Sequence, residues 1–358
     1  FLSDSRMQDL GGKFKLGYNS GKWNFVLNYL YSNSTVGIPG HTHDVNPLAE
    51  SFMVDYQERD YSLPHQKIEN HFGNIKASYF INSKNKMEFY VNHGYNNLAE
   101  YAEKIFTPAI DMYLNSSSVQ ARHRWNPNKR LQLLSGIQTI LESNDNGLDA
   151  EERLIENSDQ YDLGLYSSLS YDLKGVKLNA VLRFDNRSIR SADFSGDYPN
   201  VNAAFGLRKQ WEGESIKDLS AHLSSGTRAP FLSELLSDGA HHGAVRYELG
   251  DQNLKSERFV QLDINYEFSN EHFSLMFNPY ATYANGYIQL AQVDSVVDGM
   301  EVYEYAAKDG VLLYGLETRV HYHPHFDHRI HFETGYSNTF GRDLGIVQSG
   351  EDLYFMPQ

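Results

Sequence analysis

Two-residue alternation of aromatic or aliphatic with polar side chains, repeated along the whole chain, constrains this sequence more than any other feature. Trp23, Phe25, Leu27, Tyr29 and Tyr31 fall on one face of an extended segment, against Asn24, Asn28 and Ser32 on the other. Val176, Leu178, Ala180, Leu182 and Phe184 alternate in the same way with Lys177, Asn179, Arg183 and Asp185. Phe273, Leu275, Phe277, Ala281 and Tyr283 share a third such face, and Leu312, Tyr314, Leu316, Val320 and Tyr322 a fourth. A period of two puts successive side chains on opposite sides of a β-strand, so each segment has one apolar and one wet face. The pattern predicts roughly fourteen strands of about 10 to 13 residues, which matches or slightly exceeds what a tilted strand needs to cross a bilayer.

No run approaches the roughly 18 consecutive apolar residues of a transmembrane helix, which excludes a helical membrane protein. The chain nevertheless carries 25 Tyr, 20 Phe and 3 Trp. Abundant aromatics in an otherwise polar sequence suit a transmembrane antiparallel β-barrel, whose lipid face is apolar and whose lumen is polar on alternate residues. No Gly, Pro or Ser rich linker divides the 358 residues, so the expected fold class is all-β with one architecture throughout.

The connections alternate as well. Tight links at Ser20 to Gly21, Ser83 to Asn85, Asn126 to Lys129, Leu173 to Gly175, Glu212 to Glu214 and Asn270 to Glu271 hold residues that hairpin turns favour. Long polar connections lie between them, around 34–68, 97–113, 143–158, 187–199, 229–257 and 291–310. Short periplasmic turns and long external loops are the pattern of outer-membrane barrels. On that assignment the first strand, near 12–19, runs downward from an external loop, and the chain ends after Gly341 in another. Intact barrels of this kind normally begin and end in the periplasm, so strands are expected to be missing at both termini. Residues 1–10 have neither the basic start nor the apolar core of a secretory leader.

With 31 basic and 46 acidic residues the net charge is −15, which disfavours nucleic acid as a partner and favours cations. There is no cysteine, hence no thiolate metal site and no disulfide. Nucleophile elbow, P-loop, dinucleotide fingerprint and HExxH motifs are all absent from the sequence, and no enzymatic activity is expected.

The segment Gly226 to Glu257 carries Thr227 to Pro230 (TRAP), Leu232 to Leu235 (LSEL) and Gly250 to Leu254 (GDQNL). Together with Tyr314 to Glu317 (YGLE) and Phe355 to Gln358 (FMPQ), these resemble the FRAP and GNPNL boxes and barrel-strand features of TonB-dependent outer-membrane receptors. Thr227 departs from the first box, and Asp251 and Gln252 from the second. The resemblance implies about 22 strands around a plug domain. Residues 1–358 would then be a partial barrel of about strands four to seventeen, with the N-terminal plug and the first and last strands missing. It further implies an integral outer-membrane protein of a Gram-negative bacterium that imports a ligand into the periplasm, driven by the TonB complex acting on the plug. A passive porin-like channel and the barrel component of a surface assembly, with a lipoprotein over its mouth, are readings of other classes.

Three histidine groups bear on the ligand. His41, His43 and Asp44 (GHTHD) lie in a long external loop with His65 near its far end, and imidazole and carboxylate donors suit Zn²⁺ or a similar divalent ion. His241 and His242 lie between the two boxes, where a histidine could ligate zinc or, as in some haem receptors, haem iron. Neighbours on an extended chain point to opposite sides, so one of the pair is expected to face the lumen. The densest group, His321, His323, His325, His328 and His331, falls around a periplasmic turn at Pro324 to His328, where a structural role is expected. The acidic loop with Asp145, Asp149, Glu151, Glu152 and Glu156 against Arg153 attracts cations within about 8 to 10 Å at physiological salt. No cofactor is expected beyond the transported ligand. Expected ligand contacts are His41, His43, Asp44, His65, His241 and His242, with zinc favoured, haem second and a ferric siderophore third.

Overall fold

A computed structural model describes residues 6–38, 64–102, 104, 106–241, 246–327 and 329–345. Ten strands come first: β1 (Met7–Ser20), β2 (Trp23–Gly37), β3 (His65–Asn82), β4 (Asn85–Tyr101), β5 (Ile110–Asn128), β6 (Leu131–Asn146), β7 (Ser158–Leu173), β8 (Val176–Ser191), β9 (Ser195–Trp211) and β10 (Ile216–Arg228). The helix α1 (Leu232–Leu236) and the short strands β11 (Asp238–His241) and β12 (Arg246–Leu249) follow. The chain continues with β13 (Glu257–Ser269), β14 (Phe273–Asn285), β15 (Tyr287–Val297), β16 (Met300–Lys308), β17 (Val311–Tyr322) and β18 (Phe332–Asp343). Fourteen of these form one antiparallel sheet in the order β1 to β10, β13, β14, β17, β18. β11, β12, β16 and β15 form a second, four-stranded sheet.

Register explains why the sheet has two unlike faces. Leu16, Leu27, Ile75, Val91 and Val119 stand directly opposite one another across β1 to β5, and all five are exposed. One residue along, Asn28, Asn74, Asn92 and Ser118 form a row on the other face. They are linked by amide hydrogen bonds from Asn28 to Asn74 (3.1 Å), Asn74 to Asn92 (2.5 Å) and Asn92 to Ser118 (2.9 Å). An exposed apolar row on one face with an amide row on the other is the arrangement that the lipid side and the lumen of a membrane barrel require. The three tryptophans, Trp23, Trp125 and Trp211, all lie on this outer face near short turns and are partly exposed. Trp23 packs on Tyr79 at 4.6 Å. Aromatic rings gather where hydrocarbon meets headgroups, so the short turns lie just beyond one membrane interface.

The turns fall where the sequence places them, but most strands are longer than expected, reaching 19 residues in β5. The surplus lies at the long-loop end, where hairpins continue past the span a bilayer requires. The segment 187–199 is mostly β8 and β9, joined through a tight link in which the Ser191 N–H donates to Phe194 O at 2.8 Å. Two other expected loops, 229–257 and 291–310, fold into α1 and the second sheet rather than remaining irregular. β1 begins and β18 ends at the long-loop end.

Candidate ligand site

The second sheet and α1 build a dome on the long-loop end. Its core joins Leu235, Leu236, Leu254 and Ile288 to Ile189 of β8 and Tyr198 of β9, with Leu232, Ile155 and Tyr305 packed around them. The loop between β6 and β7 is stitched on by an Ile155–Ser237 bridge and by the Asp238 N–H, which donates to Leu154 O at 3.1 Å.

Arg228 ties the dome to the wall. Its guanidinium donates to Glu257 Oε2 at 2.6 Å and to both carboxylate oxygens of Glu234 at 2.8 and 3.0 Å. Each acceptor works twice: Glu234 Oε2 accepts the Phe231 N–H at 2.8 Å at the start of α1, and Glu257 Oε1 accepts the Ile288 N–H at 2.6 Å. Burial of Arg228 opposes its charge, but the two carboxylates outweigh that and raise its pKa further. Thr227 donates to Asn202 Oδ1 through both its N–H (2.6 Å) and its hydroxyl (2.8 Å). At the other box, a Cβ on Gly250 would meet the Leu235 carbonyl carbon at 2.6 Å and the Leu236 nitrogen at 2.8 Å. Only glycine lets this backbone approach α1 so closely. The TRAP, LSEL and GDQNL boxes, separated in sequence, therefore meet around one helix.

Below the dome the inner face is polar and charged in pairs. Arg187 donates to both oxygens of Asp162 at 2.9 and 2.8 Å, and Arg183 donates to Asp185 at 2.8 Å. These four, with Asn200, Asn202, Arg228 and Phe231, line a cleft of about 360 Å³. A second cleft of about 530 Å³ lies where Leu232 of the dome reaches the inner faces of β2 to β6, beside Phe72, Asn96, Leu114 and Glu142. The dome therefore folds inward and roofs two clefts.

His241 ends β11 at the margin of the dome. Its Nδ1 lies 3.2 Å from Glu248 Oε1, and Arg246 Nε donates to the same oxygen at 2.7 Å. Desolvation works against the Glu248 carboxylate, yet these two partners hold its pKa below the usual value. A carboxylate on one ring nitrogen fixes an imidazole's tautomer and orientation, and raises its strength as a ligand through the other. His65 opens β3 and is 4 % exposed, its ring stacked on Tyr101 at 4.8 Å. Six strands separate β3 from β10, the strand that leads into the dome, so His65 and His241 are seated on different parts of the rim. His41, His43, Asp44, His242 and the FMPQ run lie outside the described residues. Arg228, Glu234, Glu257 and Glu248 carry the local architecture and were not among the expected site residues.

A family model described as TonB dependent receptor-like, beta-barrel matches residues 3–357. The chain belongs to this family. Its members are transporters rather than enzymes. Among solved structures, the chain is similar to the copper transporter OprC at a TM-score of 0.73 and 12 % identity, over 95 % of this chain and 55 % of that one. The FrpB iron transporter from Neisseria meningitidis follows at 0.67 and 14 %, over 95 % and 53 %. The hemophore receptor HasR of Serratia marcescens, as a double mutant with its hemophore HasA and heme, stands at 0.67 and 13 %, over 94 % and 54 %. At such identities the likeness concerns the fold, and this TonB-dependent receptor barrel spans about half the length of those proteins. No curated protein matches the sequence.

Proposed function

We propose that this chain is the barrel part of a longer outer-membrane receptor that binds an extracellular transition-metal ion or metal complex and passes it to the periplasm with TonB-coupled energy. The observation that carries the reading is His241, held on Nδ1 by a buried carboxylate at the edge of a dome over two clefts, one of them lined by charged pairs. Membership of the family supplies the transport class, and solved neighbours are named as copper and iron transporters. Zinc rests on the chemistry of this sequence alone: imidazoles at His241, His242, His41 and His43, the Asp44 carboxylate, and a net charge of −15. The partners of this reading are the TonB complex, the bilayer and the metal, with a surface lipoprotein over the dome as a further one that co-purification would reveal.

Calorimetric titration of the whole receptor, purified without a histidine tag, tests it. Zn²⁺ affinity should fall in His241→Ala, and Glu248→Gln should lose about 10–100-fold, the effect of removing an outer partner. Unchanged affinity in both variants, with the dome still protease-resistant, overturns the assignment. Haem is the second reading, favoured by the same oriented imidazole. A Soret shift that His241→Ala abolishes, without zinc binding, would select it. A ferric siderophore stands third, because the acidic balance opposes an anionic complex.

A further inference from the structure

The histidine-rich run left unused by the transport reading sits at the opposite end of the sheet from the dome. The turn 323–331 between β17 and β18 lies beside the turn 270–272 between β13 and β14, and the His323 N–H donates to His272 O at 2.9 Å. That backbone link gathers imidazoles from both turns. His272 Nδ1 is 3.4 Å from His323 Nδ1, and His321 Nε2 is 3.0 Å from His331 Nδ1. His323 connects the pairs, its ring centroid 6.0 Å from that of His321 and 5.6 Å from that of His331. His325 packs edge-on against His272 at 4.6 Å.

Two imidazole nitrogens can face each other at these distances when one N–H points at one lone pair, or when both lone pairs point at a shared cation. With metal–nitrogen bonds of about 2.0–2.1 Å, tetrahedral ligand atoms stand roughly 3.3 Å apart, and both pairs already lie close to that spacing. Among the described residues no three such groups are pre-set around one point. The nitrogens face each other in twos, and side-chain rotation has to bring the pairs together. His331 is exposed and His321 only partly covered, so packing leaves room for that rotation. The charges nearby do not oppose a cation: Arg329 donates to Asp327 at 3.0 and 2.9 Å, Arg319 lies 3.8 Å from Glu333, and Glu271 flanks His272.

We propose that His272, His321, His323 and His331 form a second metal site, at the short-turn rim, that takes one borderline divalent cation such as Zn²⁺ or Cu²⁺. An all-imidazole donor set suits these ions and is a poor cage for Mg²⁺ or Ca²⁺. The site stands on these residues alone and does not depend on the cargo assigned to the dome.

The test uses the whole receptor, purified without a histidine tag, and two double variants, His272→Gln with His323→Gln and His321→Gln with His331→Gln. Zn²⁺ calorimetry should lose one molar equivalent, or weaken it by at least about 100-fold, in each double variant. Cu²⁺ bound to the unmodified receptor should show nitrogen hyperfine splitting in its paramagnetic resonance spectrum that both double variants lose. The equivalent lost here should persist in His241→Ala, which separates this site from the dome. Single His331→Gln, at an exposed position, should weaken the same equivalent and serves if a double variant fails to fold. Unchanged stoichiometry and affinity in the variants that fold, or a copper spectrum identical to that of the unmodified receptor, overturns the proposal.

Discussion

Replacing Arg228 by Met removes the cation that joins Glu234 of α1 to Glu257 of β13. Both glutamates are 8 % exposed, so each would be left as a buried carboxylate without a counter-charge. Breaking a buried pair in this way costs about 3–5 kcal/mol, which raises local opening by roughly two to three and a half powers of ten. The cost should concentrate in the dome, because Glu234 and Glu257 also receive the N–H groups of Phe231 and Ile288 that start α1 and β15. Hydrogen exchange read by mass spectrometry should show faster exchange in 231–241, 246–256 and 287–290, with β4 and β5 unchanged. A triple variant that adds Glu234→Gln and Glu257→Gln should recover part of the protection, since the penalty lies in the uncompensated charges. Unchanged exchange in the dome, or a uniform rise across the whole barrel, would refute the account of Arg228 as a local tie.

The close approach at Gly250 predicts that Gly250→Ala frees the segment from α1, at about 1–3 kcal/mol of overpacking, and protease digestion should find new cleavage near 247–256; an intact dome would contradict this. On the outer face, Val91→Arg should cost about 2–4 kcal/mol of stability in lipid vesicles, while Asn92→Arg on the inner face should cost much less. Equal losses at both positions would mean that the faces have been assigned wrongly. Acid should loosen the dome: the folded pKa of Glu248 is depressed, so its contribution is present above the ordinary carboxylate value and is lost as pH falls through the folded one. Alkali should do the same from the other side, because burial raises the pKa of Tyr305 and Tyr287, whose contribution is lost as pH rises past about 10. A stability profile measured by exchange that is flat into both extremes would count against these two groups.

Much of the barrel is legible in the sequence because period-two patterning is local and repeated. Leu27 and Asn28, or Phe184 and Asp185, declare their faces by type alone, and Asn or Gly at the turns marks where each hairpin closes. Strand ends at the long-loop side are less legible. Residues such as Asn144 and Asn146 read as loop yet belong to β6, where the Asn144 side chain donates to carbonyls of Ile155 and Glu156. The dome is hidden for a different reason. β11 and β12 have four residues each and β12 pairs in parallel with β16, more than fifty residues onward, so no local pattern announces them. The TRAP and GDQNL boxes mark the segment that knits the dome, through Arg228 to Glu234 and Glu257 and through Gly250 against α1, and Arg228 also lines the cleft beneath. Of the described histidines read as ligands, His241 has a carboxylate beside its Nδ1 in Glu248, whereas His65 is packed against Tyr101.

Energised import of a transition metal through this barrel, as proposed above, is read most directly as uptake by cells. Cells expressing the whole receptor should accumulate zinc from dilute solution, lose that uptake when the proton gradient is collapsed or TonB is removed, and lose it again in His241→Ala with surface expression unchanged. Zinc entry that persists without TonB, or no entry of zinc under any of these conditions, would contradict the account.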